Sequence, residues 1–332
     1  MKYLQGNVKN KYLFLLGMYL LITIFSPIAV HAHPISHTKN QKVLVLIPGS
    51  KNDLNFSQAI YDGMGVIKQQ GYTAAFIDNA GMLSQDKLLQ LLDKYYNNGF
   101  HIIVGGGHEF SFVITEFAKD HTDAFFAVIS GNAKGKNVVN YCLDCIPIGG
   151  CLAASAASVL THSKIVGFVG GVSSIEHSEA ASFTHTLKLF NSNIKPIVEW
   201  TENWNDKKGA EDMAVSQINR RADVLITNAN ASPIHVVNQF KHVKVIGWMS
   251  DQTSLGDHVV ATNVVINVGK LFKILLTSIQ ANEFRQGTLV ITGKDGVWEL
   301  TKFNKKIVSG AQAELINQRV QDVCYTGKFN VK

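Results

Sequence analysis

Short apolar runs alternate with amphipathic segments from about residue 42 onward. The run at 43–47 is β-branched and short, which is typical of a strand buried on both faces. Similar runs predict strands at 43–47, 73–77, 102–104 and 125–129. Helical spacing of apolar residues predicts helices at 56–71, 84–97 and 110–119. This order of strand, helix and strand predicts a parallel, doubly wound α/β sheet.

A second set of the same kind follows from residue 148. Its predicted strands are 165–169, 197–200, 224–227 and 243–247, with helices at 148–157, 182–190, 207–220 and 233–240. The last elements are an apolar segment at 259–262, a long helix at 264–281 and strands at 289–291 and 297–301. The pattern predicts two lobes of the same α/β class. The expected division is 42–147 with 264–286 for the first lobe, and 148–263 with 287–332 for the second.

The amino terminus has the pattern of a secretory signal. Three lysines precede an apolar run at 12–24, and a small-residue cleavage site follows at 30–32. A membrane anchor is the alternative, but the uninterrupted apolar run is short, and Pro27 and the cleavage-like site follow it. We therefore expect a cleaved signal at 1–32, a flexible leader at 33–41 and a periplasmic or secreted protein. No cysteine lies near the cleavage site to accept a lipid.

Composition and charge narrow the class of partner. The 332-residue chain is 46% hydrophobic and 17% charged, which is typical of a globular protein. Its net charge of +6 becomes +3 without the signal, because that segment holds three lysines and no acid. The basic residues are scattered and form no block interleaved with aromatic residues. We therefore expect no nucleic-acid partner.

The four cysteines are Cys142, Cys145, Cys151 and Cys324. Export would favour disulfides, although the spacing alone does not fix their pairing. Cys142 and Cys145 have the spacing of a redox motif, but they do not open a helix after a strand. Free thiols, redox chemistry and a metal site remain the alternatives.

The stretch at 49–63 connects the first strand to the first helix. Asn55, with Gln58 three residues later, has the spacing of a capping box. Asn52, Asp53 and Phe56 would then lie at the carboxyl end of a parallel strand, where ligands bind in open α/β sheets.

Other candidates also follow strands. Gly106, within a run of three glycines, indicates either a tight turn or an anion site, but it has no nucleotide-binding spacing. Trp200 and Trp204 could stack on a planar ligand or cover the core. Asp251 could bind ligand or belong to a hinge.

The sequence contains no arrangement of residues typical of catalysis. Ser173 or Ser174 with His177 is the only enzymatic alternative, and the serines have no nucleophile-elbow spacing. We therefore predict a binding protein that is not an enzyme, with no cofactor and no metal. Polar groups at the strand ends of both lobes favour a ligand held between them.

Residues 52–63, Asn-Asp-Leu-Asn-Phe-Ser-Gln-Ala-Ile-Tyr-Asp-Gly, resemble a known signature. It is the Asp-Asp-Lys-Ser-Phe-Asn-Gln-Ser-Ala-Tyr-Glu-Gly motif of the basic membrane protein (BMP) family, the purine-nucleoside-binding proteins of ABC importers. Further similarity follows in the family's order at 168–171, 200–206, 221–224 and 246–252.

The resemblance implies a type I periplasmic-binding fold, with two lobes that are joined by three crossovers and close on a ligand. It also implies that Asn52 and Asp53 hydrogen-bond the ligand and that Phe56 stacks on a base. Four further positions depart from the family: Ser130 and Met249 stand where it has Asp, Ile266 near its Lys, and Asn263 where Ser is usual.

The residues and the resemblance together predict an exported solute-binding protein for a small nucleoside, base or other planar ligand. It would deliver this ligand, as a monomer, to an inner-membrane permease. The alternative is a sensory or regulatory protein of the same fold. The predicted ligand-binding residues are Asn52, Asp53, Phe56, Gly106, Ser130, Trp200, Met249, Asp251 and Asn263.

Overall fold

Two six-stranded sheets form the framework of the molecule, which is known from a computed structural model that describes residues 41–328. The strands are β1 Lys42–Leu46, β2 Thr73–Ile77, β3 Ile102–Gly105, β4 Phe125–Ile129, β5 Val138–Cys142, β6 Ile165–Gly170, β7 Lys195–Trp200, β8 Val224–Ile226, β9 Lys244–Met249, β10 Val260–Ile266, β11 Gly287–Val290 and β12 Trp298–Leu300. The first sheet has the order β11-β5-β4-β3-β1-β2, and the second has the order β12-β10-β9-β8-β6-β7.

All strand pairs in the first sheet are parallel, and in the second sheet only β12 runs antiparallel to its neighbour β10. The helices are α1 Phe56–Gly63, α2 Gly65–Gln69, α3 Gln85–Asn97, α4 Ser111–Asp120, α5 Ile148–Leu160, α6 Ser173–Phe190, α7 Lys207–Asn219, α8 Pro233–Val237, α9 Val268–Gln280 and α10 Gly310–Arg319. This architecture confirms the predicted fold class of two parallel α/β sheets with flanking helices.

The chain passes between the two sheets three times: after β5, after β10, and between β11 and β12. The predicted lobe boundaries differ from this strand pairing in two places. Residues 264–266 complete β10 in the second sheet, because the β-branched run of Val264, Val265 and Ile266 continues the strand. The helix expected from 264 therefore begins at Val268. Strand β11 pairs with β5 in the first sheet, although 287 onward was assigned to the second lobe.

Three other elements differ from the sequence-based expectation. Strand β5 and helix α10 were not predicted, and β5 includes the polar Asn140. That side chain is buried and exchanges two hydrogen bonds with the backbone of Ala133, so its polarity is satisfied inside the sheet. Helix α6 begins at Ser173 and not near 182, which adds more than two turns at the edge of the second sheet.

Both disulfides form, which confirms the expectation for the cysteines: Cys142 pairs with Cys145, and Cys151 pairs with Cys324. The predicted signal at 1–32 and nearly all of the leader at 33–41 lie outside the described residues. Within 41–328, the helices are all too short or too polar to cross a membrane.

Helices α5 and α6 approach each other closely because their contact contains glycine. A Cβ atom added at Gly150 would lie 2.0 Å from the backbone oxygen of Glu179 and 2.9 Å from the backbone nitrogen of Phe183. Neither backbone atom can rotate away, so any side chain at this position would force the helices apart.

The substitution Gly150→Ala is therefore expected to lower the free energy of unfolding by about 1–3 kcal/mol or more, the range for an overpacked core. Chemical denaturation measures this loss. Gly310→Ala is the matched control, since a Cβ atom at Gly310 in α10 would meet nothing within 4 Å. Equal stability of the two variants would show that the α5–α6 contact tolerates a side chain.

Candidate functional site

A cavity of about 300 Å³ lies between the carboxyl-end loops of the two sheets. From the first sheet and its loops it is lined by Pro48, Asn55, Phe56, Gly107, His108, Glu109, Ser130, Leu143 and Asp144. From the second it is lined by Ile175, Glu176, Glu179, Trp204, Asn228, Trp248, Met249, Ile266 and Trp298. The parallel strands contribute lining residues only from their carboxyl ends or from the loops that follow them. This is the edge at which open α/β sheets bind ligands.

Aromatic side chains enclose much of this cavity. Phe56 contributes from the amino terminus of α1, and Trp204 contributes from the loop after β7. Trp248 and Trp298 are buried, and their ring centroids lie 5.9 Å apart at an interplanar angle of 52°. Flat apolar faces from both lobes therefore surround the space in which a ligand would lie.

Two buried glutamates on the first turns of α6 face the same cavity. In Glu176, Oε2 accepts a hydrogen bond from the Gly171 amide at 2.9 Å, and Oε1 accepts one from Trp204 Nε1 at 3.2 Å. Burial outweighs these bonds and raises the pKa of Glu176 to about 7.

Glu179 is more deeply buried, and its Oε2 accepts a hydrogen bond from the Gly150 amide. Its Oε1 has no hydrogen-bond partner among the described residues. Burial raises the pKa of Glu179 to about 8, and the negative charges of Asp144 and Glu176 add to this rise.

The disulfide between Cys142 and Cys145 closes a short loop at the first crossover between the sheets. The two residues inside this loop, Leu143 and Asp144, both line the cavity. Burial raises the pKa of the Asp144 carboxyl, while the nearby His108 opposes this rise. The cysteine pair thus lies next to the site and holds part of its wall.

Three of the predicted ligand-binding residues line the cavity: Phe56, Ser130 and Met249. Ser130 and Met249 have positive φ angles of 51° and 67°, a conformation that Asp and Asn tolerate better than Met. By the sequence resemblance, both positions stand where the BMP family has Asp. At both strand ends, the chain therefore keeps a backbone conformation that suits Asp but has a different side chain there.

Asp53 lies outside the cavity wall and caps α1. Its Oδ1 accepts hydrogen bonds from the amides of Asn55 and Gln58, at 2.8 and 3.0 Å, and its Oδ2 accepts one from Ser57 at 3.1 Å. The predicted capping box is therefore wrong, since the Asn55 side chain makes no capping bond and Gln58 instead accepts from the Leu54 amide. The carboxylate of Asp53 satisfies the first helical amides in its place.

Of the remaining predicted residues, none lines the cavity. Asn52 is exposed beside the capping loop, and Gly106 is buried between β1 and α1, where its neighbour Gly107 reaches the wall instead. Trp200 covers Gly170 and Phe168 in the second sheet.

Asp251 and Asn263 hydrogen-bond each other at 3.0 Å, which holds the loop after β9 against β10. The adjacent Gln252 donates from Nε2 to the backbone oxygen of Leu54 at 3.1 Å. This bond joins the second sheet's loop to the loop before α1, across the cleft.

The sequence-based site prediction missed both glutamates, because it placed the start of α6 too late in the chain. Glu176 and Glu179 are spaced three residues apart, so they share one face of α6. The spacing was visible in the sequence, but the predicted helix began after them.

Comparisons with known proteins agree with this fold. The family model of the PnrA-like ABC transporter substrate-binding proteins matches residues 40–330. The transcriptional activator protein med of Bacillus subtilis is 26% identical over 287 residues, which cover 85% of this chain and 86% of that protein. The nucleoside-binding protein BmpA of Lactococcus lactis is 22% identical and covers 81% of this chain and 85% of its own length.

Solved structures share the fold. A transcriptional activator of the comK gene from Bacillus halodurans matches with a TM-score of 0.76 at 19% identity, over 88% of this chain and all of that one. A solute-binding protein of an ABC transporter system from Conexibacter woesei matches with a TM-score of 0.73 at 18% identity, over 88% and 98%. The family match covers most of the sequence and agrees with the resemblance at residues 52–63, so this chain belongs to the Bmp family of PnrA-like ABC transporter substrate-binding proteins.

Proposed function

We propose that this protein is exported and captures a small planar ligand, such as a nucleoside or base, between its two lobes. It then presents this ligand to an inner-membrane ABC permease. The observation that carries the proposal is the cavity of about 300 Å³, which both lobes line and which four aromatic side chains enclose. Its size and aromatic walls suit a compact aromatic molecule.

Phe56 has the central role in this proposal. It occupies the stacking position of the family signature and lies at the cavity wall, half-buried at the start of α1. Ser130 and Met249 are the proposed polar and apolar contacts at the two strand ends. We propose that Asn52 and Asp53 stabilise the loop before α1 and do not contact the ligand, because Asp53 already accepts three amide hydrogen bonds there.

The test is isothermal titration against nucleosides, free bases and flavins. Phe56→Ala is expected to weaken binding of any ligand found by about 5- to 150-fold, because stacking of a base on an aromatic ring contributes about 1–3 kcal/mol. Phe112→Ala is the matched control, since Phe112 is 53% exposed on α4 and lies outside the cavity wall. Equal affinity of both variants would remove Phe56 from the site, and silence across the panel with folded protein would refute this ligand class.

A regulatory role is the second candidate, and the likeness to two transcriptional activators favours it. In that case, a protein of the same fold would pass a ligand signal to a membrane receptor instead of delivering cargo. Gene neighbourhood separates the two candidates. Adjacent permease and ATPase genes support transport, whereas an adjacent receptor or histidine kinase gene supports signalling.

A further inference from the structure

The charged groups around the cavity are almost all acidic. Asp144, Glu176, Glu179 and Glu109 line it, and the described residues of its wall include no Lys or Arg. The one basic group is His108, whose side chain is 76% exposed and lies 3.6 Å from Glu109. Of Asp144, Glu176 and Glu179, only Asp144 has a basic neighbour, His108, so Glu176 and Glu179 have no cationic partner in the wall and an anionic ligand would meet mainly acidic groups.

The polar atoms left unpaired here are a second, independent observation. Glu179 is 6% exposed, and its Oε1 has no hydrogen-bond partner within 41–328. The same holds for Trp248 Nε1 and Trp298 Nε1, on side chains that are at most 2% exposed. Buried polar atoms are normally paired, so the unpaired Glu179 Oε1 is an acceptor that a donor group of a ligand would satisfy, whereas the indole nitrogens are donors.

Glu179 also lies beside two indole rings. A Cβ atom added at Gly149 would be 2.9 Å from Trp248 Cη2, 3.1 Å from Trp298 Cζ3 and 3.2 Å from Glu179 Oε2. The carboxylate and both rings thus converge on one point of α5. A carboxylate next to aromatic rings is the chemistry that recognises ammonium and other organic cations.

We propose that the ligand of this cleft is a small organic cation whose positive centre lies beside Glu179 and against the indoles of Trp248 and Trp298. Asp144 and Glu176 supply further negative potential. This inference rests on the proposed function and narrows its ligand class. A metal ion fits less well, because the side chains of residues 41–328 form no cluster suited to one.

A pH dependence follows from the groups that face Glu179. Asp144 and Glu176 are acidic, His108 faces Asp144, and burial raises the pKa of Glu179 to about 8 in the empty site. A cation binds the ionised carboxylate, so its binding releases a proton below about pH 8. Its affinity is therefore expected to rise as pH increases from 6 to 8, by up to about tenfold per unit.

Isothermal titration of the whole protein with matched pairs tests the proposal. One pair is choline and its uncharged isostere 3,3-dimethylbutan-1-ol, and the other is the isomers 1-methyladenosine, a cation at pH 7, and N6-methyladenosine, which is neutral. Thiamine, AMP, Mg²⁺ and Ca²⁺ complete the panel. At least one organic cation is expected to bind at least tenfold more tightly than its neutral counterpart, and AMP is expected not to bind.

Glu179→Gln is expected to weaken binding of that cation at least tenfold and to remove most of its pH dependence, whereas the exposed control Glu314→Gln should change neither. Asp144→Asn is a second variant, should Glu179→Gln fail to fold.

Neutral compounds that bind as tightly as the cations, with the affinity still dependent on Phe56, would overturn this inference and leave the proposed function standing. Preference for AMP or a metal ion would overturn it as well. Silence of every compound would count against both.

Discussion

Removing the disulfide between Cys151 and Cys324 is expected to lower the free energy of unfolding by about 5 kcal/mol, on the chain-entropy relation for loops. The two cysteines are 173 residues apart in sequence, and their bond joins α5 to the segment Val320–Cys324 near the carboxyl terminus. Without it, the unfolded chain regains the freedom of that long loop. Both sulfurs are buried, so Cys151→Ala with Cys324→Ala is the appropriate double variant.

The other disulfide provides the control. Cys142 and Cys145 are only three residues apart, so the same relation gives a loss of about 2 kcal/mol for the double alanine variant. Urea denaturation of the three proteins under non-reducing conditions measures both losses. Equal destabilisation by the two double variants would contradict the loop-length argument.

The ligand-free protein is expected to lose a few kcal/mol of stability as pH rises from about 5 to about 8.5. Folding raises the pKa of Glu176 to about 7 and that of Glu179 to about 8, above the ordinary value of 4.5. The folded state therefore holds more protons than the unfolded state across this window. The stability is fully present below the ordinary pKa and is lost as pH rises through the folded values.

Glu179→Gln removes the larger part of this effect, because its amide oxygen still accepts from the Gly150 amide but does not ionise. The variant is expected to be more stable than the parent at pH 8.5 and to show a flatter profile of stability against pH. Thermal unfolding between pH 5 and 9 measures both profiles. Parallel curves for variant and parent would show that Glu179 does not carry the linkage.

Much of the fold followed from hydrophobic patterning. The runs beginning at 43, 102 and 125 became buried strands of the first sheet, since β-branched residues with helical segments between them favour parallel pairing. Strand β5 was not predicted because Asn140 interrupts its apolar pattern, and only the folded sheet provides the Ala133 backbone that satisfies it. The apolar and polar pattern alone does not show that the loop at Ala133 folds back onto Asn140.

The candidate site was predicted only in part. Ser130 follows β4, Met249 ends β9 and Phe56 begins the helix after β1, so parallel topology was enough to place them at one edge. Glu176 and Glu179 depend instead on where α6 begins and on how closely Gly150 lets α5 approach it. Asp53 had the right position for a ligand contact, but its carboxylate accepts the amides of α1. Whether Asp53 caps the helix or contacts a ligand depends on the conformation of the loop before α1, which the sequence pattern does not reveal.

The central claim is that a small molecule lies in the cavity between the two lobes. Native mass spectrometry of the freshly purified protein, followed by denaturation and analysis of the released compound, tests it directly. We expect a bound small molecule in the parent protein and in the Phe112→Ala control, at strongly reduced occupancy in Phe56→Ala. The same compound at equal occupancy in all three proteins, or no bound compound in any of them, would contradict the claim.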